Sequence, residues 1–249
     1  MQNSQNTNNC IYNLLYTKFN EDFNREMYFS YDVQYPSFHN LAGTFFFVAP
    51  QVLSNINSTI QLDVSTFREG LSEEQKDYNN TATQNNLPLK KYRVTSNYAV
   101  TFNKNHVLST IMSLMGFDGS SSGPLYNELN NYNYDLMTGN TLTIKDLFNS
   151  NVNYIKLVTD YVNYKINQNK DLYYTHVDIE IPDAQSFYIT DDGIVIYFGL
   201  DEIAPSQFGI PKFKMSFSKF APYINSRFYC TPSTYSPEPR NFYIHSRYR

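Results

Sequence analysis

The 249-residue chain has no tryptophan, two cysteines and four histidines. The small number of cysteines and histidines limits the kinds of metal site that the protein could have. His39, His106, His176 and His245 are far apart in sequence, and neither cysteine belongs to a CxxC pair. Zinc sites are usually built from closely spaced His and Cys ligands, and none of the usual spacings is present in this sequence. The sequence therefore predicts no metal site and no cofactor.

Long apolar runs are also missing. No stretch approaches the roughly 18 apolar residues that a membrane-spanning helix needs, so we expect no transmembrane segment. The first residues, MQNSQNTNNCIYN, lack the basic start and apolar centre of a secretory signal. This predicts either a cytoplasmic protein or one whose export segment is missing from this sequence. A bridge between Cys10 and Cys230 would tie the two ends together, and two unpaired cysteines fit the sequence equally well.

Charge is distributed unevenly along the chain. The net charge is −4, but the last 45 residues carry +6 and the first 204 carry −10. Such a basic end either contacts a polyanion or is simply solvated. The acidic remainder would repel phosphate, so we expect no nucleic-acid partner. The basic residues of this end are Lys212, Lys214, Lys219, Arg227, Arg240, Arg247 and Arg249.

Tyrosine and phenylalanine dominate the apolar composition, with 23 and 19 residues. Tyrosine combines an apolar ring with a polar hydroxyl, so this abundance fits either ordinary sheet packing or a tyrosine-rich binding surface. The run from Met27 alternates and predicts a strand that ends at Pro36. Apolar residues at steps of three or four between Val52 and Leu71 predict a helix, with Pro50 near its start.

The second half of the chain alternates more clearly. Residues 92–102 and 107–115 predict a hairpin with a turn at 103–105, and residues 132–144 predict a second hairpin. Asn151 is expected to cap a helix that buries Val152, Ile155, Val158, Val162 and Ile166. The segment Phe187–Phe217 predicts about three more strands.

Strands outnumber helices and short turns join them. The predicted fold class is therefore α+β, with antiparallel β-sheets, a few packed helices and two domains. The polar segment up to Pro88 is the expected boundary. The predicted divisions are a disordered start at 1–10, a small N-terminal α+β domain at 11–88, a larger α+β domain at 89–222, and a basic, Tyr/Pro-rich tail at 223–249.

Three polar motifs could carry chemistry. Asp191-Asp192-Gly193 lacks the alternating oxygen ligands of a calcium loop and is typical of a hairpin turn. Asp201 and Glu202 either act as paired carboxylates or satisfy nearby backbone N–H groups before Pro205. A glycine–serine loop has neither the lysine of a phosphate site nor a positioned base, so we expect it to contact a partner. This loop consists of Gly119, Ser120, Ser121, Ser122 and Gly123.

The segments YNYDLMTGNTLTIKDLF, FYITDDGIVIYFG and DEIAPSQFGIPKFKMSFSKF occur in this order between Tyr132 and Phe220. Together they resemble a bacterial domain of unknown function, found in the outer part of the anti-sigma factor RsiV and ahead of the catalytic domain of the deacetylase PdaC. Residues from about 10 to 88 resemble the smaller domain that precedes it. The resemblance implies an α+β pair that works outside the membrane by binding, with lysozyme as the ligand of RsiV-like proteins. Where many members have a GGAHG-like loop, this chain has Gly119–Gly123 without the histidine.

We therefore predict a non-enzymatic binding or sensing module of the bacterial cell-envelope type, with a protein or a cell-wall polymer as its ligand. The expected binding residues are the Gly119–Gly123 loop, Asp201 and Glu202, and no catalytic residue is predicted. One alternative is an intracellular or spore-associated structural protein. Another is an uncharacterised hydrolase or deacetylase accessory domain.

Overall fold

The computed structural model describes residues 10–13, 15–42, 47–120, 123–175 and 179–230. It contains eight strands, three α-helices and four 3₁₀ turns within this described part. The strands are β1 (Leu15–Arg25), β2 (Phe29–Asn40), β3 (Tyr92–Lys104), β4 (Val107–Phe117), β5 (Tyr126–Asp135), β6 (Phe187–Thr190), β7 (Gly193–Tyr197) and β8 (Lys212–Ser216). The helices are α1 (Pro50–Gln84), α2 (Tyr154–Gln168) and α3 (Phe217–Phe220), and the 3₁₀ turns are Ile144–Leu147, Lys170–Leu172, Ser206–Phe208 and Ser226–Phe228.

The first five strands form one sheet in the order β1-β2-β3-β4-β5. All neighbours in it are antiparallel except β2 and β3, which run parallel over Phe29–Val33 and Tyr92–Ser96. A parallel pair needs a long crossover, and α1 provides it between these two strands. The sheet runs from Leu15 to Asp135 and so continues across the predicted boundary at residue 88.

Pro36 lies within β2, so the prediction that the strand ends there is wrong. Pro36 pairs with Phe19 of β1. A backbone N–H at this position would point away from β1, to the side on which Gln34 N donates to Ser96 Oγ of β3 at 2.9 Å. β3 no longer pairs with β2 at this point. Proline therefore removes no ladder hydrogen bond, which is the condition under which strands accept it.

Helix α1 confirms the predicted apolar face and the position of Pro50 in its first turn. It continues to Gln84, 13 residues past Leu71, where the apolar pattern ends. The extra turns bury polar residues, among them Gln75 and Asn79. Asn79 exchanges two hydrogen bonds with the backbone of Lys90, at 2.9 and 3.0 Å. The Asn79 side chain thus satisfies the backbone N–H and C=O of Lys90, just before β3. This contact holds the last turns of the helix, which lie beyond its apolar residues.

Strands β6, β7 and β8 form a separate antiparallel sheet, as predicted for Phe187–Phe217. The five-stranded sheet lies between two apolar layers. One layer, with Ile56, Ile60 and Leu108, packs α1 on the sheet. The other, with Phe102, Val162 and Ile196, joins the three-stranded sheet and α2 to it. Helix α2 is capped by Asn153, whose Oδ1 accepts from Lys156 N at 3.1 Å, and not by Asn151 as predicted.

The predicted hairpin of β3 and β4 is confirmed, with its turn at Asn105 and His106, which both have φ near +60°. The second predicted hairpin is only partly present. After β5 the chain returns through one bridge, Tyr134 to Thr141, and then enters a 3₁₀ turn. The expected strand is absent there because Thr143 and Asp146 form a capping box that starts this turn.

Both ends of the described chain meet at the β3–β4 turn. Cys10 and Cys230 form a disulfide with Cα atoms 5.4 Å apart. Asn105 N donates to Ile11 O at 2.7 Å, and Arg227 binds Asp135 Oδ2 at 2.7 Å and Asn105 O at 3.2 Å. Of the two possibilities that the sequence left open, the structure has the bridge. The α+β fold class is confirmed, and no helix among the described residues is long and apolar enough to cross a bilayer.

Candidate functional site

Strand β5 is an edge of the five-stranded sheet, and half of its outer side is open. Towards its end, Asn133 O accepts from Leu142 N at 2.8 Å and Asp135 N donates to Asn140 O at 2.9 Å. Backbone groups alternate in direction along a strand. Asn127, Leu129 and Asn131 therefore point their N–H and C=O groups to the same outer side, where no strand of the described structure pairs with them.

A groove follows this open edge. Two adjoining clefts of about 620 and 580 Å³ share Glu128, Leu129, Asn130, Ser186 and Tyr197 as lining residues. We call the joined clefts the β5 groove. One wall is the side of α1, with Asp63, Thr66 and Phe67. The other is the connection from β7 to β8, with Asp201, Glu202 and Ser206.

Tyr197 forms the floor of the β5 groove on the side of the smaller sheet. Its hydroxyl lies 2.7 Å from both Leu129 O and Asn131 Oδ1. Burial raises the pKa of this phenol to about 12, so the hydroxyl keeps its proton at neutral pH. One acceptor of the open edge is thus already in contact with a side chain, which joins the two sheets at this point.

Carboxylates on α1 are held by tyrosines of the sheet. Tyr132 Oη donates to Asp63 Oδ2 at 2.7 Å, and burial together with this bond raises the pKa of Tyr132. Tyr92 and Tyr126 both donate to Glu74, at 3.0 and 2.9 Å. These hydrogen bonds fix carboxylate positions beside the β5 groove without neutralising their charge.

Glu128 has no ion-pair partner among the described residues. Desolvation raises the pKa of its carboxyl group, and the negative charge of Asp63 adds to the shift. The β5 groove also contains Asp201 and Glu202, and none of its described lining residues is Lys, Arg or His. It is therefore an acidic groove, in which Asp63 and Glu128 repel each other.

The two predicted acids lie in this groove and make local hydrogen bonds. Asp201 has a left-handed backbone, with φ of 64°. Its Oδ1 accepts from Ser206 N at 3.1 Å and from Tyr174 Oη. Glu202 Oε2 accepts from Gly199 N at 2.5 Å. The interpretation that these carboxylates satisfy local N–H groups is confirmed, while a binding role for them stays a prediction.

The glycine–serine loop connects β4 to β5. Gly119 has φ of 74°, and Ser120 donates to Asp118 Oδ1 from N at 2.9 Å and from Oγ at 2.5 Å. Ser121 and Ser122 lie outside the described residues. Gly119, Ser120 and Gly123 do not line the β5 groove, whose lining begins at Leu125. The structure thus brings Asp201 and Glu202 together with β5 but does not include the described loop residues in that lining.

Asp118 anchors the start of this loop. Its side chain is 4% exposed and binds Lys90 Nζ at 2.6 Å. The hydrogen bonds from Lys90 and Ser120 lower the pKa of Asp118 to about 2. The carboxylate is therefore charged at neutral pH and holds the loop to the chain entering β3.

Asp191 and Asp192 form the two-residue turn of the β6–β7 hairpin, which confirms the turn interpretation. Asp191 binds Lys104 at 2.7 Å, and Asp192 binds Thr190 and Lys214. Among the described residues, no group of three or more His, Cys, Asp or Glu side chains could hold a metal ion.

Sequence reasoning missed Asp63, Glu128, Leu129 and Tyr197 as groove residues. The segment YNELNN at the start of β5 has no apolar alternation, so it gave no strand signal before Tyr132. Its position at a sheet edge depends on the order of all five strands. The one local indication of a functional residue in this segment is Glu128, which is its only charged residue.

Comparison with known proteins agrees with this architecture. Residues 23–123 match the model of the family described as deacetylase PdaC, and residues 145–218 match the family described as a protein of unknown function, DUF3298. No curated protein matches the chain.

Solved structures show the same fold at low sequence identity. A DUF3298 family member from Bacteroides fragilis is 15% identical, with a TM-score of 0.56 over 86% of this chain and 96% of its own. A DUF3298 family protein from Pseudomonas aeruginosa is 10% identical, with a TM-score of 0.52 over 88% and 97% of the two chains. Both matched regions, and their order, confirm the predicted resemblance: the chain joins a PdaC-like region to a DUF3298 region.

Proposed function

We propose that this protein is a non-enzymatic binding module of the cell-envelope type that holds a macromolecular ligand in the β5 groove. The observation that carries the proposal is the groove itself, an open strand edge between two acidic walls. Binding sites are typically concave, with a few fixed polar groups that orient the ligand. Here tyrosines and backbone N–H groups fix Asp63, Asp201 and Glu202 in position.

The disulfide supports an envelope location. Bridges of this kind persist in oxidising compartments and are rare in reducing ones. Cys10 and Cys230 are 220 residues apart, so the bridge closes a loop of nearly the whole chain. The resemblance to RsiV-like proteins supports the same location and a sensing role.

Binding to purified peptidoglycan fragments, lysozyme and a secreted-protein fraction tests the proposal. Each ligand is measured by biolayer interferometry on the immobilised full chain, at low and high salt. We expect at least one ligand to bind, and Glu128→Gln and Asp201→Asn to weaken its binding. Glu21→Gln, an exposed acid on the opposite sheet edge, is the matched control. Absence of binding to all three, or equal binding by all variants, would count against a ligand site in the groove.

A further inference from the structure

The two edges of the five-stranded sheet are β1 and β5, and a groove lined by carboxylates runs along the open half of β5. Natural proteins cover or distort their strand edges, because an exposed edge pairs readily with another chain. Residues 140–142 do this for the second half of β5. The first half, Asn127–Asn131, is left without a pairing strand, and the β5 groove runs along it.

We infer that the β5 groove binds an extended, basic segment of a partner protein, which adds to the sheet as a sixth strand beside Asn127, Leu129 and Asn131. This deepens the proposed function, on which it rests, by naming the ligand class. In strand addition, backbone hydrogen bonds supply affinity and alternate side chains supply specificity.

Charge selects a basic segment over other polypeptides. The alternating side chains of an added strand point to its two faces in turn. On one face they meet Asp63 and Glu128, and on the other they meet the wall with Asp201 and Glu202. Neither Asp63 nor Glu128 forms an ion pair among the described residues. A Lys or Arg side chain would offset the repulsion between them. An acidic segment would increase that repulsion.

The groove also has the right form for a strand. Its two clefts adjoin along β5, so the open space is elongated in the direction of the chain. The lining mixes backbone groups of β5 with small or flat side chains such as Ser186, Ser206 and Tyr197. Ser206 N and Gly199 N already donate to acids, so the fixed walls keep their own hydrogen bonds satisfied when a ligand enters.

The test uses a capped peptide of about nine residues that alternates Lys and Val, long enough to span Asn127–Asn131. Its affinity for the full chain is measured by isothermal titration calorimetry. We expect this peptide to bind and the matching Glu–Val peptide not to bind. Glu128→Gln and Asp63→Asn should each weaken binding about tenfold, the effect of one charge-assisted hydrogen bond. Glu21→Gln should leave the affinity unchanged.

Backbone pairing is tested on the peptide, which avoids any effect on folding. N-methylation of alternate residues removes the N–H groups on one side of the peptide strand only. We expect one methylation series to abolish binding and the opposite series to bind as before. Amide hydrogen exchange at Asn127, Leu129 and Asn131 should slow in the complex, while exchange in β1 stays the same.

Equal binding by both methylated series would overturn the strand-addition proposal, as would an absence of peptide binding. Binding that appears only after removal of residues 231–249 would overturn the partner assignment, since the chain's own end would then compete for the groove. If wall fragments bind in a Glu128-dependent manner while the peptides do not, the proposed function stands and this inference fails.

Discussion

Loss of the Cys10–Cys230 bridge should cause the largest change in stability that a conservative substitution can produce here. In the chain-entropy description, a cross-link lowers the entropy of the unfolded chain by an amount that grows with the logarithm of the loop length. For the separation of 220 residues the relation gives about 5 kcal/mol at room temperature. This is an upper value, because residual structure in the unfolded chain reduces it.

The substitution Cys10→Ser with Cys230→Ser tests this magnitude. Far-UV circular dichroism and tyrosine fluorescence follow urea unfolding, since the chain has no tryptophan. The total stability of a domain is about 5–15 kcal/mol, so the loss should be a large fraction of it. Each single substitution should cost as much as the pair, because both break the same bond. A loss below about 1 kcal/mol, or two single effects that add, would refute the reasoning.

Four further changes have definite expected outcomes. In Gly193→Ala the new Cβ would lie 2.7 Å from a carbonyl oxygen of β8, so we expect a loss of about 1–3 kcal/mol in urea unfolding. Gly70 is an exposed position of helix α1, and nothing lies within 4 Å of the Cβ that Gly70→Ala adds, so this change should instead stabilise the helix by about 0.5–1 kcal/mol. Equal effects at the two glycines would contradict the packing argument. Ionisation of Glu128 is unfavourable in the fold, so its contribution to stability falls as pH rises above its ordinary pKa. Glu128→Gln should therefore raise the free energy of unfolding in urea at pH 7 by no more than about 1 kcal/mol, and by less at pH 4; a lower free energy of unfolding at pH 7 would refute this. Asp118→Asn should cost about 1–3 kcal/mol at pH 7. Because the pKa of Asp118 is lowered from 3.8 to about 2, that difference should shrink as pH falls between these values, and a constant difference would contradict the assignment.

Much of the fold follows from local patterns. The strict alternation of residues 92–102 gave a correct hairpin, and the apolar steps from Val52 gave the start and the buried face of α1. Asp191-Asp192-Gly193 gave a correct turn. Each of these signals depends on one segment and its own periodicity, which tertiary structure reinforces here.

Other parts depend on distant residues and were missed for that reason. Strand β1 buries little more than Leu15, so its sequence carries no clear apolar face. Pro36 interrupts a strand only if its missing N–H is needed, and that depends on where β3 ends. The β5 groove depends on strand order and on the return of residues 140–142, neither of which a local pattern specifies.

The candidate site was predicted in part. Asp201 and Glu202 lie in the groove and have the local hydrogen bonds expected of them. The role of the Gly119–Gly123 loop stays a prediction, since its described residues lie outside the groove lining. The acids that complete the groove, Asp63 and Glu128, come from a helix and a strand 65 residues apart in sequence. Only the packing of α1 beside β5 brings them together.

The junction at the Asn105–His106 turn has a practical consequence for how this molecule can be attached to something else. Residues 10 and 230 lie together there, close to Asp135 at the covered end of β5. Leu129 is six residues further along that strand, or about 20 Å at the rise of a β-strand. A surface linker or fluorescent label attached beside either cysteine would therefore lie at one corner of the molecule and leave the β5 groove unobstructed.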